Sequence, residues 1–124
     1  MGRKQLKIAW LDKPEKHDYA AAESYLSLLF APATVARHLK KLRHADIREF
    51  KAKDLLRASG LSKLGISNSH VEHDREKIIK GEALSPILLV RDSRNARLVI
   101  ADGYHRLCAV YTFDEDATIP CRIA

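Results

Sequence analysis

The chain has 124 residues, 46% of them apolar, and 22 lysines and arginines against 16 acidic side chains give it a net charge of +6. That length supports one domain with a modest core and excludes a multidomain enzyme. No run approaches the ~18 apolar residues of a membrane span and the N-terminus lacks the apolar centre of a signal peptide, so a cytoplasmic protein with no membrane contact is expected.

The whole charge excess falls in residues 1–62, which assigns any polyanion contact to the N-terminal half; the plainer reading is a solvated helix face. Met1 to Lys4 read as a tag or frayed end. Gln5 to Leu11 alternates polar and apolar residues, which predicts a short strand or ordered arm anchored by Trp10. Asp18 is a plausible N-cap for a helix from Tyr19 to Phe30, with Ala22, Tyr25, Leu26 and Leu29 on one stripe. Pro32 restarts the chain, and Ala33 to Arg43 places Val35, Leu39 and Leu42 on one side with Arg37, Lys40, Lys41 and His44 on the other. The pair forms a helical hairpin with one basic face. Its Pro32 linker offers no glycine turn of the DNA-binding helix-turn-helix kind, so packing on a sheet is its expected role.

Ile47 to Lys53 reads as a strand leading into a short helix, Asp54 to Ser59, ended by Gly60. Gly60 to Ser69 is the longest loop-like stretch and a candidate lining of a site. Asn68 or Ser69 caps the next helix, which carries Val71, Arg75, Ile78 and Ile79 at helical spacing until Gly81, with His70, His73, Asp74 and Lys77 on its polar side. Pro86 to Val90 is unbroken and apolar, as in a strand covered on both faces. A polar turn, Asp92 to Ala96, leads to a second strand, Arg97 to Ala101, which stops at Asp102-Gly103 before a helix opens at Tyr104. Asp114 to Asp116 is a solvated acidic turn, and Pro120 relegates the last strand, Thr118 to Ile123, to an edge or bulge. Cys108 falls in a helical pattern and Cys121 in a strand pattern, which predicts two buried reduced thiols rather than a disulfide or metal site.

A helix that starts on a glycine turn aims free N–H groups and the positive end of its dipole outward, and His105 and Arg106 sit on that first turn. Arginine brings a fork of donors and histidine a donor or proton shuttle, so the chemistry suits a phosphate. The structural alternative is an Arg106 paired with Asp102 and a His105 that caps the turn. His70, His73 and Asp74 lie within one helical turn, but helix geometry does not converge them with His105, and no metal site is expected.

The order of apolar strand, charged turn, strand, Asp102-Gly103-Tyr104-His105-Arg106-Leu107-Cys108-Ala109 and closing strand Ile119 to Ile123 resembles the ParB/sulfiredoxin superfamily, including its ParB-like nuclease domain, over residues 46–124. The resemblance implies an α+β fold, a small curved mixed sheet with helices, here preceded by the hairpin of residues 1–45 packed on the same core. It implies a nucleotide ligand, ATP, ADP or CTP, accompanied by Mg2+. Asp102, His105 and Arg106 would then be catalytic; Gly103, Tyr104, His105 and Arg106 would bind the nucleotide, with His70, His73 and Lys77 at the rim. Tyr104 stands where sulfiredoxins carry their catalytic cysteine, so sulfiredoxin activity is not expected. Relatives that phosphorylate free serine carry a similar Asp-Gly-His-His-Arg-like motif and an acidic base near the end of the entry strand. Leu55 to Val71 holds no acid, which leaves Glu72, Asp74 or Asp102 for that role. CTP-switching partition proteins continue into a DNA-binding helical domain, whereas this chain stops at Ala124, so a full partition role is not expected. No carboxylate cluster is spaced for two metals, so nuclease activity is not expected either. The leading expectation is a nucleotide- or phosphate-binding protein, a phosphotransferase or nucleotidase. The alternative is a non-catalytic DNA-binding or partner-binding module that uses Arg37, Lys40, Lys41 and Arg43.

Overall fold

The computed structural model describes residues 7–65 and 68–124. Along them run α1 (Lys16–Leu26), α2 (Pro32–His44), β1 (Arg48–Lys51), α3 (Ala52–Ser59), α4 (Ser69–Lys80), β2 (Ile87–Asp92), β3 (Arg97–Asp102), α5 (Tyr104–Phe113) and β4 (Thr118–Ile123). The four strands form one mixed sheet in the order β1-β4-β2-β3. β4 runs antiparallel to β1, with Arg48 opposite Cys121, and parallel to β2, with Ile87 opposite Cys121. β2 and β3 form an antiparallel hairpin that places Leu88 opposite Asp102. The fold is α+β.

The unbroken apolar run of β2 fixes the layers, because successive strand side chains point to opposite faces. Leu88 and Val90, with Val99 and Ala101 of β3, pack against Ala22 and Leu26 of α1 and Val35, Leu39 and Leu42 of α2. Ile87 and Leu89, with Ile100, Ile119 and Cys121, pack on the other face against α3, α4 and α5. Each fully buried leucine or valine in these layers contributes about 1.5–3 kcal/mol, so one-sided cover of β2 would leave half of its apolar surface in water. The hairpin of residues 1–45 packs on the face of the sheet opposite α3, α4 and α5, in a cluster that includes Leu88, Val90, Val99 and Ala101 of the strands.

Three local expectations change. Pro120 lies in a central strand, not at an edge. It pairs with Glu49 of β1, and the parallel ladder to β2 begins one residue later, at Cys121, so Pro120 stands outside that ladder. α1 begins earlier, with Glu15 as N-cap. Asp18 sits at the third helical position and accepts the Glu15 N–H at 2.7 Å, the reach-back half of a capping box. α1 ends at Leu26, where Ser27 Oγ bonds back to the Ser24 carbonyl at 2.7 Å, so Leu29 lies past the helix and is 43% exposed; Tyr25, within it, is 42% exposed instead of joining the buried stripe. α3 starts two residues early because the carbonyls of Ala117 and Glu115 accept the Ala52 and Lys53 N–H groups, both at 2.9 Å.

Several expected signals operate as read. Asn68 Oδ1 caps α4 by accepting from His70 and Val71 at 3.0 and 3.2 Å. Gly60 and Gly81 end their helices in the left-handed conformation. The N-terminal arm is ordered where described: Trp10 bridges Leu84, with Leu11 N–H to the Leu84 carbonyl and Leu84 N–H to the Ala9 carbonyl, both at 2.9 Å. Gln5 and Leu6 of that arm, Met1 to Lys4, and Ile66 and Ser67 of the long loop lie outside the described residues.

Candidate functional site

The site is built where β3 hands over to α5. β3 delivers Asp102, and Gly103 turns the chain at φ 111° and serves as N-cap of α5. A Cβ at Gly103 would lie 2.8 Å from Ile87 Cγ1 and 3.0 Å from Arg106 Nη2, so only glycine fits both the dihedral and the space. Leu107 N–H closes the first helical turn on the Gly103 carbonyl at 2.9 Å. The N–H groups of Tyr104, His105 and Arg106 precede it and have no acceptor among the described residues. They carry the positive end of the α5 dipole.

Arg106 turns inward from this helix start. Its Nη2 donates to Asp102 Oδ2 at 3.0 Å and to the Pro86 carbonyl at 3.4 Å, and its Nη1 stands 4.0 Å from Asp18 Oδ1. Its Nε is buried without an acceptor among the described residues. Burial raises the Asp102 carboxyl above its ordinary value; the Arg106 charge opposes that shift and the Asp18 charge adds to it. Asp18 is 3% exposed, Glu15 accepts from Ser85 Oγ at 2.9 Å, and His17 Nε2 lies 3.5 Å from Asp18 Oδ1. The start of α1 therefore closes one flank of the motif.

On the other flank the His105 ring sits 4.8 Å, centroid to centroid, from His70 at the start of α4. Burial lowers the His105 pKa, the neighbouring His70 and Arg106 lower it further, and Asp74 pulls the other way. The lowered value favours the neutral imidazole, a donor and acceptor rather than a fixed cation. α4 is held in place by Arg75, which bonds Thr112 and lies 4.2 Å over the Phe113 ring. Tyr104 donates its hydroxyl to the Ser62 carbonyl, and Leu64 N–H reaches Cys108 Sγ at 3.5 Å, so residues 62–64 lie along α5. Burial raises both the Tyr104 hydroxyl and the Cys108 thiol.

Asp102, Gly103, Tyr104, His105, Arg106 and His70 therefore meet at one place. His73 is exposed, and Lys77 lies two turns along α4, roughly 10 Å down its axis from His70. The Asp102–Arg106 pair takes the form of the structural alternative read from the sequence. Glu15, Asp18 and Ser85 were missed; the only sequence trace of the first two is the Glu-x-x-Asp spacing after Pro14, a capping box with acidic residues at both ends. Among the described residues the group Glu15, His17 and Asp18 gathers three metal-capable side chains with ligand atoms within 4.8 Å. Glu15 and Asp18 already have protein partners, as given above.

No protein-family model, curated protein or solved structure matches this chain. Among the described residues no helix is long and apolar enough to cross a membrane.

Proposed function

We propose that this chain is a ParB/sulfiredoxin-like protein that binds a nucleotide by its phosphates at the start of α5 and transfers a phosphoryl group from it. The observation that carries the reading is the set of three unpaired N–H groups at Tyr104, His105 and Arg106, flanked by the His70–His105 pair. Such a helix start favours a multiply charged oxyanion through both the donors and the dipole. Arg106, held by Asp102 and Asp18, positions the turn. Of the three acids considered as a base, Glu72 pairs with Arg75 at 3.6 Å and Asp102 with Arg106, which leaves Asp74; the reading assigns the proton to the His105 imidazole, whose protonated form Asp74 favours. In the proposed step a hydroxyl or water oxygen attacks the terminal phosphorus, its proton passes to His105, and the nucleotide leaves one phosphate shorter. Mg2+ comes with the nucleotide phosphates, since Asp102 and Asp18 are committed to Arg106.

Thermal shift and calorimetry with ATP, ADP, CTP and sulfate test the reading. A ligand at 100 times its Kd stabilises by about 2.7 kcal/mol, a shift of several degrees in a chain of this size. The double variant His70→Ala, His105→Ala should lose most of that shift while remaining folded. No shift with any nucleotide at millimolar concentration, or an equal shift in the double variant, would overturn the proposal.

A further inference from the structure

The hairpin layer carries charge that the α5 site does not use. α2 holds Arg37, Lys40, Lys41 and Arg43 and no acidic residue, and none of the four enters an ion pair among the described residues. Basic side chains in a last helical turn often serve the helix's own carbonyls. Here the Arg43 carbonyl is taken by Arg122 Nη1 of β4 at 3.0 Å, and Arg43 itself rests 5.5 Å over the Tyr19 ring. Arg37, Lys40 and Lys41 share the outer face with exposed Ala33 and Ala36, small residues that let a partner approach the helix.

The charge continues past the N-terminal end of α2. Thr34, which accepts from Arg37 Nη2 at 3.2 Å, lines a cleft of about 480 Å³ between the α1–α2 corner and the β2–β3 tip. Arg94 and Arg97 border it, both exposed and without an ion pair among the described residues. One acid lines that cleft, Asp92; it accepts from Asn95 Nδ2 at 2.8 Å, a neutral donor that leaves its charge in place, and the cations around it outnumber it. Five cations from two elements thus border one side of the molecule. His38, between them on α2, has its pKa lowered first by burial and then by Lys41 and Arg37.

We propose that the outer face of α2 and the adjoining β2–β3 tip dock on the sugar–phosphate backbone of double-stranded DNA, without reading its bases. The apolar row of α2 (Val35, Leu39, Leu42) is 5%, 1% and 0% exposed, so no face remains to enter lipid. Phe30, the aromatic in the cleft, is engaged edge-on with His38 at 5.1 Å and is not free to stack an unpaired base, which favours a duplex over a single strand. The surface lies on the opposite face of the sheet from α4 and α5, so it stands or falls separately from the nucleotide reading.

Three to five phosphate contacts give a log–log salt slope of roughly −3 to −4.5, about a 50- to 500-fold loss of affinity between 50 and 200 mM salt. Fluorescence anisotropy on a labelled 20-base-pair duplex reads that slope. Arg37→Ala, Lys40→Ala, Lys41→Ala should reduce its magnitude by up to about 2.7, and Arg94→Ala, Arg97→Ala by up to about 1.8. A charge-matched control at exposed positions elsewhere, Lys13→Ala, Arg57→Ala, Lys80→Ala, should keep most of the binding. The charge-preserving set Arg37→Lys, Lys40→Arg, Lys41→Arg should keep binding too, which covers the case of a triple alanine variant that fails to fold. No binding at ~50 mM salt overturns the proposal. So does equal loss in the control, or tighter binding to single strands, an RNA duplex or phosphatidylserine vesicles.

Discussion

Replacing Gly103 by alanine tests the geometry on which the α5 site depends. Two costs add. A Cβ at φ 111° is strained by about 1–3 kcal/mol. The same Cβ also presses on Ile87 at 2.8 and 3.2 Å. Ile87 is 0% exposed and packed between β4 and α5, so it cannot withdraw as a surface side chain would, and overpacking adds about 1–3 kcal/mol. Gly81, at φ 78° with nothing within 4 Å of its ideal Cβ, carries only the dihedral cost of about 1–2 kcal/mol. Urea unfolding of both variants should therefore place Gly103→Ala about 2–6 kcal/mol below wild type, and at least 1 kcal/mol below Gly81→Ala. Equal losses at the two positions would show that the β3–α5 turn is not packed against β2 as described.

Acid should weaken the fold through His38 and His105, whose pKa values are both depressed below 6.5 by burial and neighbouring cations. Because the unfolded chain takes up these protons first, stability is complete above about pH 6.5 and falls with pH through the window down to the lowered native values. Thermal unfolding between pH 7.5 and 5 should show that decline, and His38→Gln with His105→Gln should flatten it; an unchanged slope would remove both histidines from the balance. The cysteines should resist alkylation in the native state, because both are buried and burial pushes the Cys121 thiol up to about 12. Modification of Cys108 by iodoacetamide at pH 7 as fast as in urea would contradict its placement beneath Leu64.

What the sequence disclosed were features with local physical causes. Asn68, Gly60 and Gly81 mark helix ends because a side-chain acceptor or a left-handed dihedral acts within a few residues of itself. The two-sided burial of β2 was legible because an unbroken run of five apolar residues has no solvent face to offer. Asp18 was misplaced because its partners are Arg106 and the Glu15 N–H; the first lies 88 positions away, and no pattern within α1 announces it. Pro120 misled for a related reason. The rule against central prolines concerns a lost ladder bond, and whether one is lost depends on where the neighbouring strand begins to pair, which is a property of register. At the α5 start the motif was readable, but its division into an Arg106 flank of carboxylates and a His105 flank of imidazole came only from the packing of α1 and α4.

The insertion of β4 between β1 and β2 sets an order of events for the folding chain. β1 pairs with no strand but β4, and α3 has its first N–H groups held by Ala117 and Glu115, so β1 lacks its strand partner and the start of α3 its acceptors until the segment that ends in β4 has been made. The β2–β3 hairpin and the helices on its outer face can associate earlier, since the buried residues of that layer all lie within Ala22 to Ala101. Folding should thus proceed as an early half that waits for a late keystone, with β1 threaded onto a sheet edge that only β4 creates. Such long-range closure belongs with the slower, millisecond-and-longer folders. It also means that a chain interrupted before Thr118 exposes the parallel edge of β2 to other molecules instead of to its own last strand.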